Sequence, residues 1–433
     1  MNVDEKVRCS ITASLDLARS EMTAKVCLHL NGEPLTEELT LQINPGLQVT
    51  RVQSQGVECG FSQTQSDRVS VTLPKGMSDS HLVLELDYAG YLPQCDATEE
   101  EGRALITDDL FWLRDDQYWF PVPVGLQEEM FPIPPGRYVV QMQLPSGWEV
   151  AASSPLVRRW NEGLFECYQW DTQDEYPGIS IVGGRLQKHV DGKCTFLWFA
   201  PRPDLAEIVL GALDFCEDIL GPCPHSNLTV VMGPRFVPGG YADRGLVYVG
   251  ENKLDTRTLA HELVHQWWGR GVWAKHHGDR WVTEGLAEYL ALLYLESRNE
   301  TRLEEMLQKY KESFLEAVAT WGDKPIIQID SEDYQRKGLA SALLYKKGAW
   351  LHRMLHLLLE GQYWRALRTI YSKYYGESIT TEQYIAELTD ICEGHRDALE
   401  TFARQWLYAP GLPGLQARIV ERNESSVQEQ VIP

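Results

Sequence analysis

The sequence predicts a multi-domain α+β fold, in which an N-terminal antiparallel β-sandwich precedes a mostly helical domain. Up to about residue 200, apolar and polar residues alternate with a period of two, which is typical of strands with one buried face. Helical periodicity begins near residue 203 and continues to about residue 408. The length of 433 residues is also too great for one ordinary hydrophobic core.

Four runs of alternating residues carry the strand prediction, and prolines or glycines separate them. In Val69-Ser70-Val71-Thr72-Leu73, for example, every second side chain is apolar. Such strands bury one face each, which favours an antiparallel sandwich. The four runs are residues 39–43, 69–73, 82–88 and 140–144.

The change from strands to helices sets the predicted domain limits. Asp204, followed three residues later by Glu207, matches the start of a capped helix. A glycine-rich strand region, residues 226–250, interrupts the helical part. We therefore expect a β-sandwich over residues 1–195, a second domain over 196–410, and a tail or the start of a further domain over 411–433.

Charge and cysteine usage restrict the partners and the compartment. The formal net charge of −22 argues against a nucleic-acid partner, because a phosphate backbone would be repelled. No run of about 18 apolar residues occurs, so no segment is predicted to span a membrane. The nine cysteines lie singly, which suits reduced thiols. We expect a cytoplasmic protein, although a chain trimmed of a leader or an anchor would have the same composition.

One segment concentrates imidazoles and carboxylates beside several tryptophans. His261, Glu262 and His265 form a His-Glu-x-x-His motif. Residues four positions apart share one face of a helix, so both imidazoles can point at one metal ion. Glu262 lies beside them, where it can take a proton from a metal-bound water rather than bind the metal.

The sequence also indicates where the helices of this segment begin and end. Asp255 or Thr256 can cap the helix that carries the motif, and Gly269 can end it. Asp279 can cap a second helix, which places Glu284 in the first turn of that helix.

Glu284 is the third candidate metal ligand, and 18 residues separate it from His265. Two histidines and one glutamate leave the fourth position of a zinc ion open for water, which is the catalytic pattern. The alternative is a pair of helical histidines whose hydrogen bonds are satisfied inside a core. We predict one Zn²⁺ per chain, held by His261, His265 and Glu284.

Neighbouring side chains admit two interpretations each. Glu288, one helical turn after Glu284, either orients a ligand histidine or is a solvated glutamate. His276 and His277 lie in a connector, and we interpret them as surface residues rather than ligands. The tryptophans at positions 267, 268 and 273 are interpreted as packing residues.

These motifs resemble the gluzincin zinc aminopeptidases, the group of aminopeptidase N and leukotriene hydrolase. That family carries His-Glu-x-x-His and, after 18 intervening residues, Glu-Gly, which here is Glu284-Gly285. The resemblance covers nearly the whole chain and implies a thermolysin-like catalytic domain after the β-rich domain. The stretch YKKG is similar to the family's Tyr-x-Lys-Gly, which implies that Tyr345 donates a hydrogen bond to the oxyanion of the intermediate.

One stretch departs from the family pattern. Residues 239–243, GGYAD, align with the family's G-x-M-E-N, whose glutamate binds the free amine of the substrate. Ala242 replaces that glutamate, and Asp243 replaces the asparagine. We expect Gly239, Gly240 and Asp243 to bind substrate, with an extended peptide added along this strand.

The sequence therefore predicts a zinc metallopeptidase, most simply an aminopeptidase. Glu262 would activate a zinc-bound water, and Tyr345 would stabilise the oxyanion. Three alternatives stay open: an endopeptidase or tripeptidase without the amine clamp, a zinc-retaining domain that binds peptides without hydrolysis, and an epoxide hydrolase. The intact Glu262 and Tyr345 weigh against the second alternative, and no residue favours the third.

Overall fold

The computed structural model describes residues 6–32, 38–65, 67–74, 81–92, 105–127, 129–173, 176–233, 240–250, 255–336, 338–411, 417–419 and 429–431. The chain separates into two compact units. The first, here called the strand unit, comprises residues 1–202 and 227–253. The second, the helical unit, comprises residues 203–226 and 254–433.

The strand unit is built from β-strands and a short 3₁₀ helix, Asp115–Gln117. The strands are β1 (Val7–Asp16), β2 (Glu21–Asn31), β3 (Glu38–Gln42), β4 (Leu47–Ser54), β5 (Val57–Glu58), β6 (Gly60–Gln65), β7 (Arg68–Thr72), β8 (His81–Tyr91), β9 (Leu105–Ile106), β10 (Leu110–Leu113), β11 (Val122–Pro123), β12 (Pro135–Pro145), β13 (Glu149–Ala152), β14 (Leu156–Glu162), β15 (Phe165–Asp171), β16 (Tyr176–Pro177), β17 (Ile181–Gly184), β18 (Gln187–Asp191), β19 (Cys194–Trp198), β20 (Leu228–Gly233), β21 (Gly240–Asp243) and β22 (Leu246–Gly250).

The largest sheet runs β14-β15-β12-β1-β2-β8-β4-β5, with β16 paired to β12. A second sheet, β11-β3-β7-β6, shares one hydrophobic core with the first. Ile11 and Val26 of the first sheet and Val71 of the second all belong to this core. Side chains along β1 and β2 alternate between the core and the outer face. Two predicted runs, 82–88 and 140–144, lie inside β8 and β12, and the other two, 39–43 and 69–73, are offset by one residue from β3 and β7. The sandwich prediction is therefore confirmed.

A third sheet, β13-β17-β10-β9, and a fourth, β18-β19-β20-β22-β21, complete the strand unit. In the fourth sheet β20 runs parallel to both β19 and β22, and β21 is an antiparallel edge strand. The glycine-rich region predicted over residues 226–250 corresponds to β20, β21 and β22.

The helical unit follows, which confirms the predicted order of strands before helices. Its helices are α1 (Pro203–Leu220), α2 (Thr256–Val264), α3 (Leu286–Ser297), α4 (Leu303–Trp321), α5 (Ser331–Gln335), α6 (Gly348–Leu359), α7 (Gly361–Tyr374), α8 (Thr381–Ile391) and α9 (Arg396–Trp406). Short pairs of strands are β23 (Val272–Ala274) with β24 (Glu377–Ile379), and β25 (Ala417–Ile419) with β26 (Glu429–Val431). Among the described residues, no helix combines the length and apolar character that a membrane crossing requires.

The start of α2 agrees with the sequence, and its end does not. The Asp255 carboxylate accepts a hydrogen bond of 2.8 Å from the backbone N–H of Thr258, so the predicted cap is confirmed. The helix ends at Val264 rather than at Gly269. The reason is a tightened last turn, in which the N–H of Trp267 donates to the carbonyl of Val264.

Asp279 does not cap the helix that carries Glu284. It lies in a 3₁₀ turn, His277–Arg280, and its carboxylate accepts hydrogen bonds from the backbone N–H groups of His276 and Thr381. Glu284 belongs to a π-helical turn, Trp281–Gly285, that continues directly into α3. The prediction failed because the partner of Asp279 lies 102 residues away along the chain.

Two glycines let this turn touch a second π-helical turn, Ser341–Lys347, and the start of α6. A Cβ atom on Gly285 would lie 2.6 Å from the carbonyl carbon of Gly348. A Cβ atom on Gly348 would lie 2.8 Å from the Cα of Gly285. Direct backbone contact therefore holds the segment of Glu284 against the segment of Tyr345.

We expect the substitution Gly348→Ala to lower the free energy of unfolding by about 1–3 kcal/mol, because the new methyl group overlaps backbone that cannot move aside. Urea-induced unfolding measures this change. Gly361→Ala is the matched control, since a Cβ atom at that helix start meets no atom within 4 Å. Equal stabilities for the two variants would contradict the contact.

Candidate metal centre

Helix α2 and the turn before α3 bring the three predicted ligands together. The Nε2 atoms of His261 and His265 lie 3.1 Å apart, and Glu284 Oε2 lies 3.4 Å and 3.3 Å from them. Tetrahedral zinc with bonds of about 2.0–2.1 Å holds its ligand atoms about 3.3 Å from one another. The triangle therefore has the dimensions of a zinc site. Within the described part of the chain, it is the one group of three such side chains close enough to share a metal ion.

The hydrogen bonds of the two Nδ1 atoms, which point away from the triangle, determine the protonation of the Nε2 atoms within it. His261 Nδ1 lies 2.9 Å from a Glu288 carboxylate oxygen, and His265 Nδ1 lies 2.9 Å from the carbonyl oxygen of Trp268. Both partners are acceptors, so each Nδ1 donates and each Nε2 presents a lone pair inward. Of the two interpretations of Glu288, the contacts support the one in which it orients a ligand.

Three acceptor atoms thus converge in a buried space. Glu284 Oε2 is buried and has no hydrogen-bond partner among the described residues. Three acceptors without a donor repel one another unless a cation or a proton lies between them. Burial lowers the pKa of His261, but the carboxylates of Glu284 and Glu288 beside it raise that pKa to about 10, so the imidazole holds a second proton when no metal is bound. The residues present fit a zinc ion.

Glu288 is itself held by two donors that the sequence analysis did not identify. Arg257 Nη1 donates to its Oε1 at 2.6 Å, and the Tyr310 hydroxyl donates to the same oxygen. Burial alone would raise the pKa of Glu288, but the hydrogen bond with His261 and the charges of His261 and Arg257 lower it to about 2. Glu288 therefore stays ionised and keeps accepting from His261.

Arg280 is a further residue that the sequence analysis missed. Its Nη2 donates to Glu284 Oε1 at 2.6 Å. Burial would raise the pKa of Glu284, but the charges of Arg280 and His265 hold it well below the usual range. The spacing of four residues between arginine and glutamate, one helical turn, was a signal that could have revealed the pair.

Glu262 and Tyr345 lie at the same centre without belonging to the triangle. Glu262 is 9% exposed, and burial raises the pKa of its carboxyl toward the range in which it can accept and return a proton. The ring of Tyr345 stacks on the ring of His261 at 5.7 Å between centroids. Burial and the charge of Glu284 raise the pKa of Tyr345 well above its ordinary value, so its hydroxyl stays protonated.

Of the predicted substrate-binding residues, Gly239 lies outside the described residues. Gly240 begins the edge strand β21, where it pairs with Val249. Asp243 is completely buried within the strand unit. Its Oδ1 accepts a hydrogen bond of 3.0 Å from the Tyr176 hydroxyl and one of 2.8 Å from the N–H of Arg244.

The other aromatic and histidine residues of the segment lie where the sequence suggested. Trp267, Trp268 and Trp273 are buried, as packing residues should be. His276 is exposed, and His277 is half-buried beside the ring of Tyr334.

Comparison with protein families places this centre in a known context. A family model described as "Peptidase family M1 domain" matches residues 222–406. The matched range includes the two histidines and the three glutamates of the centre, and Tyr345. Residues 222–406 are a peptidase family M1 domain. The resemblance to aminopeptidase N and leukotriene hydrolase is thereby confirmed.

Individual M1 proteins resemble the chain over different lengths. Aminopeptidase O of Rattus norvegicus is 24% identical over 251 residues, which cover 49% of this chain and 30% of that protein. Aminopeptidase M1-A of Oryza sativa subsp. japonica is 26% identical over 335 residues, which cover 68% of this chain and 36% of that protein. The chain thus spans about a third of the length of these relatives.

A solved structure extends the likeness of fold. The M1 zinc metallopeptidase of Deinococcus radiodurans superposes with a TM-score of 0.72 at 19% identity. The superposition covers 95% of this chain and 99% of the bacterial one. The β-rich and the helical parts of this chain therefore each follow a fold seen in a solved structure.

We expect Glu288→Gln to weaken Zn²⁺ binding about tenfold, because the amide oxygen still accepts from His261 but the charge that fixes the imidazole is lost. Competition with a chromophoric chelator measures the dissociation constant. Glu305→Gln, at a side chain 64% exposed on α4, serves as the control and should bind zinc like the parent. Equal affinities for the two variants would show that Glu288 does not support the centre.

Proposed function

We propose that this chain is a zinc-dependent peptidase whose zinc ligands are His261, His265 and Glu284. The single observation that supports this best is the convergence of their three acceptor atoms, at distances of 3.1–3.4 Å, in a buried space. A zinc ion bound there supplies a Lewis acid, which acidifies water and polarises a carbonyl oxygen.

The side chains around the ligands account for the proton transfers. Glu262 takes a proton from the attacking water and returns it to the leaving amine, and its raised pKa suits both transfers. Tyr345 donates its hydroxyl proton in a hydrogen bond to the oxygen that becomes negative. Because the pKa of Tyr345 is far above neutrality, the donor is present at every pH at which the enzyme would work.

The preferred substrate in this proposal is a peptide with a free amino terminus. Two relatives that match 68% and 65% of this chain bear the name aminopeptidase. Gly239, Gly240 and Asp243 are proposed to bind the substrate along the edge strand.

The same proposal includes domain boundaries at residues 195 and 410, a cytoplasmic location and the absence of a nucleic-acid partner. The nine cysteines, which lie singly along the sequence, and the net charge of −22 support the last two.

A second candidate is a peptidase that does not require the free amine. Ala242 supplies no carboxylate at the clamp position, and Asp243 is fully buried, with Oδ1 hydrogen-bonded inside the strand unit. This candidate uses the same zinc ligands and the same base, and it differs in specificity alone.

The variants Glu262→Gln and Tyr345→Phe separate hydrolysis from binding. We expect each to retain zinc and fold but to lower kcat by at least about a hundredfold, because one removes the base and the other removes the oxyanion donor. Hydrolysis of amino-acyl anilides, with zinc content measured on the same samples, checks this. Glu305→Gln serves again as a control on an exposed carboxylate. Near-parental kcat in either variant would remove that residue from the mechanism.

Asp243→Asn tests the amine site. If Asp243 binds the substrate's ammonium group, KM should rise at least tenfold for free-amine peptides and stay constant for N-acetylated ones, because only the former lose a charged partner. Steady-state kinetics with a matched pair of peptides gives both values. The second candidate would be favoured if the parent enzyme cleaves both peptides equally well. It would also be favoured if the substitution changes KM equally for both peptides.

A further inference from the structure

An arginine side chain reaches into the metal centre and contacts two of its functional groups at once. Arg280 Nη2 lies 2.6 Å from Glu284 Oε1 and 3.4 Å from the Tyr345 hydroxyl oxygen. Its other terminal nitrogen, Nη1, donates to the Tyr334 hydroxyl at 2.7 Å. The side chain of Arg280 is 23% exposed, so these hydrogen bonds lie mostly out of water.

The contact with Arg280 gives the two carboxylate oxygens of Glu284 different roles. Arg280 occupies Oε1, and Oε2 is the oxygen that lies in the ligand triangle. Without the guanidinium, Oε1 would be a buried charged atom with no partner, and the carboxylate would rotate or take up a proton to avoid that state. A rotated or protonated glutamate is a poorer ligand.

The charge of Arg280 acts in the opposite direction, since a cation near the centre repels a metal ion. The centre, however, already contains three carboxylates, Glu262, Glu284 and Glu288. Glu288 is paired with Arg257, and Arg280 pairs with Glu284, so the guanidinium offsets a charge that it directly contacts. We expect orientation to outweigh repulsion, as it commonly does for groups that hydrogen bond to metal ligands.

The contact with Tyr345 concerns the direction of its hydroxyl proton. An arginine has no acceptor, so Arg280 donates and the Tyr345 oxygen accepts. The tyrosine proton must then point away from Arg280 and stays available to another acceptor. Donation to a hydroxyl oxygen also makes that hydroxyl a stronger donor.

Tyr334 keeps the guanidinium in place. It accepts from Nη1, and its ring lies under the guanidinium carbon at 5.1 Å from the centroid. The combination of a hydrogen bond and a cation–π contact fixes the plane of the guanidinium. A lysine has the charge of arginine but cannot make the three hydrogen bonds in one plane.

We propose that Arg280 is a positioning residue, which fixes Glu284 as a one-oxygen zinc ligand and turns the Tyr345 hydroxyl toward the oxyanion. This inference rests on the proposed zinc-peptidase function. It adds to that function a residue that touches neither the metal nor the substrate.

The test compares Arg280→Met, Arg280→Lys and the parent. We expect the Met variant to bind Zn²⁺ about 10–100-fold more weakly by chelator competition, and to lose about tenfold in kcat at saturating zinc with little change in KM. The Lys variant should recover part of the zinc affinity, through its charge, and little of kcat. Arg302→Met, at a side chain 84% exposed on the surface, is the matched control and should behave like the parent.

A double-variant cycle separates the two contacts. In a Tyr345→Phe background, Arg280→Met should still weaken zinc binding by the same factor, because that effect passes through Glu284. Its effect on kcat should shrink, because the hydroxyl that it turns is gone. Thermal unfolding of the metal-free proteins identifies any variant that fails to fold. In that event Tyr334→Phe, which removes one hydroxyl, should produce a smaller loss of the same kind.

Each outcome decides one point. The inference would be overturned if a folded Arg280→Met protein has an unchanged or smaller dissociation constant for zinc. It would also be overturned if Arg280→Met lowers kcat by the same factor in the parent and in the Tyr345→Phe background. If the parent itself binds no zinc or hydrolyses no peptide, the proposed function fails instead. Zinc binding and hydrolysis by the parent with no effect at Arg280 leaves the function intact and rejects the positioning role.

Discussion

Three acceptor atoms meet at one buried point, and the charges around that point determine what each neighbouring side chain can do. The centre holds three carboxylates, and two of them are paired with an arginine: Glu284 with Arg280, and Glu288 with Arg257. Their pKa values fall, so both carboxylates remain ionised, and Glu288 accepts a hydrogen bond from His261. Burial raises the pKa of the third carboxylate, Glu262, although the charges of His261 and His265 oppose that shift. The arginine pairs thus keep Glu284 and Glu288 ionised and fixed in place, whereas the pKa of Glu262, the proposed base, is raised.

The parts of the centre that were predictable follow from the geometry of one helix. His261 and His265 share a face of α2 because they are four residues apart, and Asp255 caps that helix through a local hydrogen bond. Glu288 could be placed one turn beyond Glu284, although its role stayed open until its contact with His261 was visible. Such relations need only the periodicity of the helix, which the sequence carries directly.

The parts that failed or were missed depend on segments far apart in the chain. Asp279 looks like a helix cap locally, but it binds the N–H and hydroxyl of Thr381. Gly285 and Gly348 are separated by 62 intervening residues, and their backbone contact has no local signature. Arg280 lies between these cases, since its pairing with Glu284 has helical spacing but its approach to Tyr345 does not. In the strand unit, alternation predicted β3, β7, β8 and β12, whereas the complete burial of Asp243 depends on Tyr176, which no alternation could indicate.

The π-helical turn at Glu284 explains why one imidazole can be held from two sides. Glu284 and Glu288 lie in consecutive turns, and their oxygens reach opposite nitrogens of His261: Oε2 of Glu284 lies 3.4 Å from Nε2, and Oε2 of Glu288 lies 2.9 Å from Nδ1. A wider turn shifts the side chains that precede it relative to a regular helix, and such turns recur at functional sites. A second π-helical turn carries Tyr345, whose ring stacks on the same imidazole. Gly285 and Gly348 bring the two turns into backbone contact, and the side chains of Glu284, Glu288 and Tyr345 all lie against His261. The position of His261 therefore depends on both turns, and a change in either turn would alter the proposed metal site.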